Sequence, residues 1–145
     1  MAFATGHVGI NVTNLDRSRD FYTSVLDLKA TGGSDEGGRR YAFLSDDHRI
    51  VLTLWEQSKG RFSDAAPGLH HLSFQVGSID EVRSAEQRLR ERGAKFVYDG
   101  VVPHAEGRDS GGIFFEDPDG TRLEIFTATG VRGQAQSDGP ACGFF

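Results

Sequence analysis

The sequence predicts an α+β fold built from two βαβββ modules in tandem, and three observations lead to this prediction. The run HVGINVTNLDRSRDFYTSVL, from His7, aligns without gaps with HLSFQVGSIDEVRSAEQRLR, from His71. Each run reads as a strand, a polar turn and a helix. Short strand-like runs separated by turn residues follow each helix. The chain therefore repeats one supersecondary unit.

The helices are recognised by their caps and by apolar residues at helical spacing. Asn14 or Asp16 caps the first helix, and Ser78 or Asp80 caps the second, which ends at Gly93. The residues predicted to face the core are Phe21, Tyr22, Val25 and Leu26 in the first helix, and Val82, Ala85 and Leu89 in the second.

Strands are predicted at 39–45 and 49–55 after the first helix, and at 95–102, 111–116 and 121–127 after the second. Residues 29–38 hold a short strand and a glycine-rich turn. The resulting boundaries are a first module at 1–57, a linker at 58–68, a second module at 69–129 and a C-terminal tail at 130–145.

Composition narrows the classes of function. The chain has 145 residues and a net charge of −5, which disfavours nucleic acid as a partner. Its single cysteine, Cys142, excludes an intramolecular disulfide and a cysteine zinc cluster. No signal peptide and no membrane-spanning run are recognised, so a cytoplasmic location without membrane contact is expected.

Alternation along two strands places polar side chains on one face. Val8, Ile10 and Val12 belong under the helix, so His7 lies on the opposite face. In the second module the same argument puts His71 on the opposite face, together with Ser73 and Gln75, while the adjacent His70 falls outside that register.

In the last predicted strand, alternation places the carboxylate of Glu124 on the polar face, opposite the apolar Leu123 and Ile125. A charge within a strand needs a partner, and Arg122 or a metal ion could provide one. Two histidines and one carboxylate form the ligand set of a facial-triad metal site. The alternative is a pair of strand-start histidines and a salt-bridged glutamate.

The segments DRSRDFYTSVLDL, HHLSFQVGSIDEVRSAEQRLRERGAKF and FFEDPDGTRLEIF resemble the vicinal oxygen chelate superfamily, over about residues 7–127. That group includes glyoxalase I, extradiol dioxygenases, fosfomycin-resistance transferases and bleomycin-binding proteins. The resemblance implies a cupped, mostly antiparallel mixed sheet with helices outside, around one divalent ion, Fe(II), Mn, Ni or Zn. It assigns the metal ligands to His7, His71 and Glu124, and leaves the catalytic residues unknown.

The chain departs from the sequence pattern of each subfamily, so the resemblance does not decide which subfamily it belongs to. Glyoxalase I has a further glutamate ligand in the fourth strand of its first module, where this chain has RIVLTLW, and Glu56 is too far along. Dioxygenase-like or lyase- or transferase-like chemistry on a small oxygenated substrate is therefore expected. A metal-free protein that binds a drug or metabolite, as bleomycin-resistance proteins do, is the alternative.

Candidate substrate contacts are Trp55, His104, Arg108 and Phe126, from aromatic strand positions and from the loop PHAEGRDSGG. The resemblance also implies a homodimer, in which His7 of one chain can share a metal with His71 and Glu124 of the other.

Overall fold

The computed structural model describes residues 1–134, and the chain divides into two compact units, Met1–Arg61 and Phe62–Phe145. Each unit holds one helix and a four-stranded mixed sheet. The predicted α+β class and the two tandem βαβββ modules are therefore confirmed. No helix among the described residues combines the length and the apolar character needed to cross a membrane.

The first unit contains β1 (Val8–Val12), α1 (Leu15–Leu26), β2 (Lys29–Ser34), β3 (Tyr41–Ser45) and β4 (Ile50–Glu56). The strand order is β1-β4-β3-β2, with β1 parallel to β4 and the other neighbours antiparallel. The parallel pair is possible because α1 provides the crossover that returns the chain to the same end of the sheet.

The second unit repeats this arrangement with β5 (Leu72–Val76), α2 (Ile79–Glu91), β6 (Val102–Pro103), β7 (Gly111–Glu116) and β8 (Arg122–Thr127). Its order is β5-β8-β7-β6, with β5 parallel to β8. Asn14 and Ser78 are the N-caps, and each side chain accepts a hydrogen bond from the backbone N–H three residues on.

The core of each unit lies between its helix and one face of its sheet. Tyr22 of α1 and Leu54 of β4 are fully buried in the first unit, as are Leu89 of α2 and Leu123 of β8 in the second. Burying each such side chain stabilises the fold by about 2 kcal/mol. The opposite face of each sheet is left to the polar and aromatic residues described below.

The predicted strand at 95–102 is wrong for most of its length. Only Val102 and Pro103 form a strand, and Phe96 makes an isolated bridge to Phe115. Gly100 has a φ of 118°, a conformation that interrupts regular strand pairing between the hydrogen bond of Val97 to Phe114 and the pairing of Val102 with Gly112. The apolar residues that suggested a strand serve local packing instead, as Tyr98 does against Phe114.

The predictions for the end of the tail, including Cys142, lie outside the described residues.

Candidate metal centre

Glu124 lies in the interior strand β8, which pairs with both β5 and β7. Its neighbours Leu123 and Ile125 are buried in the core, so alternation turns Glu124 to the other face of the sheet. Parallel pairing with β5 places it directly opposite Ser73. Glu124 is only 5% exposed, although it lies on the face of the sheet opposite the apolar core.

Three side chains of the second unit surround this carboxylate. The Ser73 hydroxyl donates a hydrogen bond to Oε2 at 2.9 Å, and Nε2 of His71 lies 3.7 Å from the same oxygen. Nε2 of His104 lies 2.6 Å from Oε1. Within residues 1–134 neither lysine nor arginine contacts Glu124, and Arg122 instead pairs with Asp64 at 2.6 Å. A buried carboxylate without a cationic partner is unusual.

His104 is held in place by contacts of its ring and of its backbone. It follows β6, and its Nδ1 lies 3.1 Å from the Ser110 hydroxyl, while its backbone N–H donates to the Ser110 carbonyl. The ring also lies against Phe126, with the ring centroids 5.0 Å apart. The sequence predicts His104 as a substrate contact, and the structure places it against the carboxylate itself.

His71 is oriented by its neighbour in the chain. The Nδ1 atoms of His70 and His71 are 2.8 Å apart, so one of the two must carry the hydrogen. When His71 donates from Nδ1, its Nε2 is unprotonated, which is the form that binds a metal. His70, which alternation leaves outside the polar face, is therefore a partner of His71.

The chemistry of this group fits a divalent ion. Donor atoms about 2.1 Å from one ion can be up to ~4 Å apart, and His71 Nε2 and Glu124 Oε2 are 3.7 Å apart. If Nε2 of His71 is the unprotonated nitrogen, a cation between these two acceptors would turn their repulsion into attraction. Within residues 1–134, no three His, Cys, Asp or Glu side chains are gathered in a metal-holding group, so the pair needs a further ligand.

The remaining predicted residues lie in different places. His7 is exposed, immediately before β1 in the first unit. Trp55 of β4 also belongs to that unit and stacks on Tyr41, with centroids 4.9 Å apart and planes at 21°. Arg108 is exposed in the loop between β6 and β7. Phe126 lies beside His104, so these two proposed substrate contacts of the second unit are brought together.

The first unit has no counterpart of Glu124. Thr53 pairs with Gly9 as Glu124 pairs with Ser73, so threonine stands at the equivalent register position. Glu56, at the end of β4, is occupied elsewhere. Its Oε2 accepts hydrogen bonds from the Leu15 backbone N–H at 2.6 Å and from Arg40 at 3.0 Å, where it stabilises the N-terminus of α1.

The sequence places Ser73 on the strand face of His71, and Ser110 in the loop that could supply polar groups to a substrate, but it predicts neither contact found here. The contact of Ser73 could have been predicted, since parallel pairing of the two strands would set it beside Glu124. The contact of Ser110 with His104 carries no such signal, because it depends on the path of the loop between β6 and β7.

Comparison with known proteins places the chain in a family. The model of the Glyoxalase/Bleomycin resistance protein/Dioxygenase superfamily matches residues 4–125. The chain is 30% identical, over 94% of its own length and 88% of the relative's, to a probable trivalent organoarsenical cleaving enzyme of Bacillus subtilis. It is also 30% identical to a lactoylglutathione lyase of Escherichia coli O157:H7, over 82% of this chain and 88% of that one.

A crystal structure agrees with the sequence comparisons. The glyoxylase/bleomycin resistance protein/dioxygenase domain from Frankia sp. EAN1pec aligns with a TM-score of 0.72 and 27% identity, over 88% of this chain and 93% of the other. The chain belongs to the Glyoxalase/Bleomycin resistance protein/Dioxygenase superfamily, and its named relatives are enzymes.

Proposed function

We propose that the chain is a divalent-metal-dependent enzyme that binds a small substrate through neighbouring oxygens, with His7, His71 and Glu124 as the metal ligands. The observation that carries this proposal is the buried Glu124 carboxylate facing His71 Nε2 at 3.7 Å without a lysine or arginine partner in the described chain. The third ligand, His7, rests on the repeat, since it aligns with His71.

An ion held by two imidazoles and one carboxylate has open positions, and it supplies Lewis acidity or, as iron(II), the capacity to bind dioxygen. The chain's own side chains then determine what else can bind. Phe126 gives the region beside Glu124 an apolar wall, and Trp55 and Arg108 are proposed to contact the substrate.

Two of the activities named among the relatives fit this chain poorly. Trivalent arsenic is a soft centre that prefers thiolate ligands, and the chain has a single cysteine, so one chain offers no thiol pair. The additional carboxylate of glyoxalase I is replaced by Thr53, and Glu56 is bound to the start of α1. A dioxygenase-type metal site needs only two histidines and one carboxylate, so its ligand set fits this chain better than that of glyoxalase I.

A metal-free binding protein is the second candidate, and one observation favours it. Both oxygens of Glu124 already have hydrogen-bond partners, Ser73 and His104, so the carboxylate is satisfied without an ion. This candidate predicts that chelator-treated protein binds its ligand as tightly as untreated protein.

The experiment that separates the two is a titration of metal-stripped protein with Fe(II), Mn(II), Ni(II) and Zn(II), followed by metal analysis after dialysis. The variants are H71A and E124Q, and H48A is the matched control because His48 lies in the exposed turn between β3 and β4. We expect one of the ions to be retained by the parent chain and H48A and lost from H71A and E124Q. Equal retention by all four proteins would exclude His71 and Glu124 as ligands.

A further inference from the structure

We propose that His104 is a positioning residue for Glu124, which holds the carboxylate in the orientation that binds the metal. This inference rests on the proposed function and assigns to the same site a residue outside the ligand set. It follows from one chain of contacts, Ser110 to His104 to Glu124, at 3.1 Å and 2.6 Å.

One neutral tautomer of His104 satisfies both of these hydrogen bonds. An ionised carboxylate only accepts, so Nε2 of His104 carries the hydrogen that Glu124 Oε1 receives. In the neutral ring Nδ1 is then an acceptor, and the Ser110 hydroxyl donates to it. Ser110 thus donates to His104, and His104 donates to Glu124. The hydrogen bond from Ser110 orients the imidazole ring.

The contact also determines which oxygen of Glu124 faces His71. Oε1 is directed at His104, whereas Oε2 lies on the side of His71, 3.7 Å from its Nε2. A glutamate side chain has rotational freedom that metal binding must otherwise remove. Fixing Oε1 before the ion arrives lowers this cost and presents Oε2 as the ligand oxygen.

The rest of the surroundings keeps His104 in place. Its ring packs against Phe126. Its backbone N–H donates a hydrogen bond to the Ser110 carbonyl, which joins the two ends of the loop between β6 and β7. His104 is about one-third exposed, whereas the Glu124 side chain is almost fully buried. The loop thus places Nε2 of His104 on the more exposed side of the Glu124 carboxylate.

The test measures the Kd of Mn(II) by electron paramagnetic resonance on the full chain carrying H104L, H104Q or S110A. Leucine fills the space against Phe126 but donates nothing, whereas glutamine keeps an N–H in the place of Nε2. We expect H104L to raise the Kd about tenfold, the lower end of the effect of removing such partners. H104Q should stay within a factor of a few of the parent chain, and S110A should fall between them.

The matched control is H48L, the same change at an exposed histidine of the first unit, and the metal-free melting temperature is measured for every variant. An H104L protein that binds Mn(II) as tightly as the parent, or an H104Q protein that loses as much affinity as H104L, would overturn the positioning role. If H104L does not fold, an unchanged Kd in S110A would do the same.

The failure of the proposed function has a different signature. A parent chain that binds no Mn(II), or that binds it equally well after H71A and E124Q, would show that this carboxylate holds no metal, and the role of His104 would fall with it. Loss of binding in H71A and E124Q with no effect of H104L would reject the positioning role alone.

Discussion

Thr53 of β4 occupies the same register position in the first sheet that Glu124 of β8 occupies in the second, since Gly9 pairs with Thr53 as Ser73 pairs with Glu124. The two modules therefore share a fold, but only the second carries a carboxylate at this position. The repeat supplies a histidine before the first strand of each module, His7 and His71. We propose that both histidines serve the single glutamate, either within one chain or between two.

A site shared between two chains can be detected by mixing inactive variants. If His7 of one chain serves His71 and Glu124 of another, refolding H7A with E124A creates mixed dimers in which one of the two sites is intact, about a quarter of all sites. The measurement is retained metal per chain after co-refolding and dialysis.

The control is each variant refolded alone, which should retain almost no metal. A mixture that retains no more than the separate variants would contradict a shared site and indicate that all three ligands come from the same chain.

Glu56 is predicted to support the fold rather than the metal. Its carboxylate accepts from the Leu15 backbone N–H and from Arg40, so Glu56→Gln weakens a charge-assisted contact at the start of α1. We expect the free energy of unfolding to fall by about 1 kcal/mol, measured by urea denaturation, with no change in the Kd of Mn(II). A large loss of metal affinity would restore Glu56 as a ligand and with it a glyoxalase I type of site.

Glu86 of α2 makes stability depend on pH. Burial raises its pKa, but hydrogen bonds from Arg83 and Arg90, both at 2.8 Å, and the charges of the two guanidinium groups lower it by more. The pKa therefore ends below its ordinary value, so the stabilisation is present above the ordinary glutamate pKa and is lost as the pH falls through the lowered one.

The expected outcome is that Glu86→Gln destabilises the protein at neutral pH, and that the difference from the parent chain shrinks with acidification. Urea midpoints measured at successively lower pH test this. A difference that stays constant down to the most acidic point would show that the loss comes from packing instead of charge.

Trp55 is the chain's single tryptophan and is 37% exposed, so its fluorescence reports on the face of the first sheet that is turned away from α1. Its indole N–H donates to Thr53 at 2.9 Å, and its ring stacks on Tyr41. If Trp55 contacts substrate, 4-nitrocatechol used as a probe should quench the emission, and Trp55→Leu should weaken binding of the probe by about 1 kcal/mol. Unchanged probe affinity in the leucine variant would remove Trp55 from the site.

The fold was predictable because period-two and helical patterns recur at matching places in both modules. The prediction was wrong at 95–102, where Phe96, Val97 and Tyr98 resemble a strand but Gly100 bends the chain. Hydrophobic alternation cannot reveal such a bend, since the apolar residues are used for packing in either case.

The site was only partly predictable. Alternation placed His71 and Glu124 on a polar face, and the structure brings these two together. The contact of His104 with Glu124 could not be read from the sequence, because twenty residues and an irregular loop separate them. Long-range contacts made by loops depend on the path of the backbone, which no local pattern determines.

The most direct test of the metal-site proposal is an anomalous difference map at the manganese absorption edge, from crystals grown with Mn(II). The account predicts a single strong peak per site within bonding distance of His71 Nε2 and Glu124 Oε2, with His7 of the same or a second chain completing the ligand set. A map with no peak at this pair, or with manganese bound only elsewhere on the chain, would contradict it.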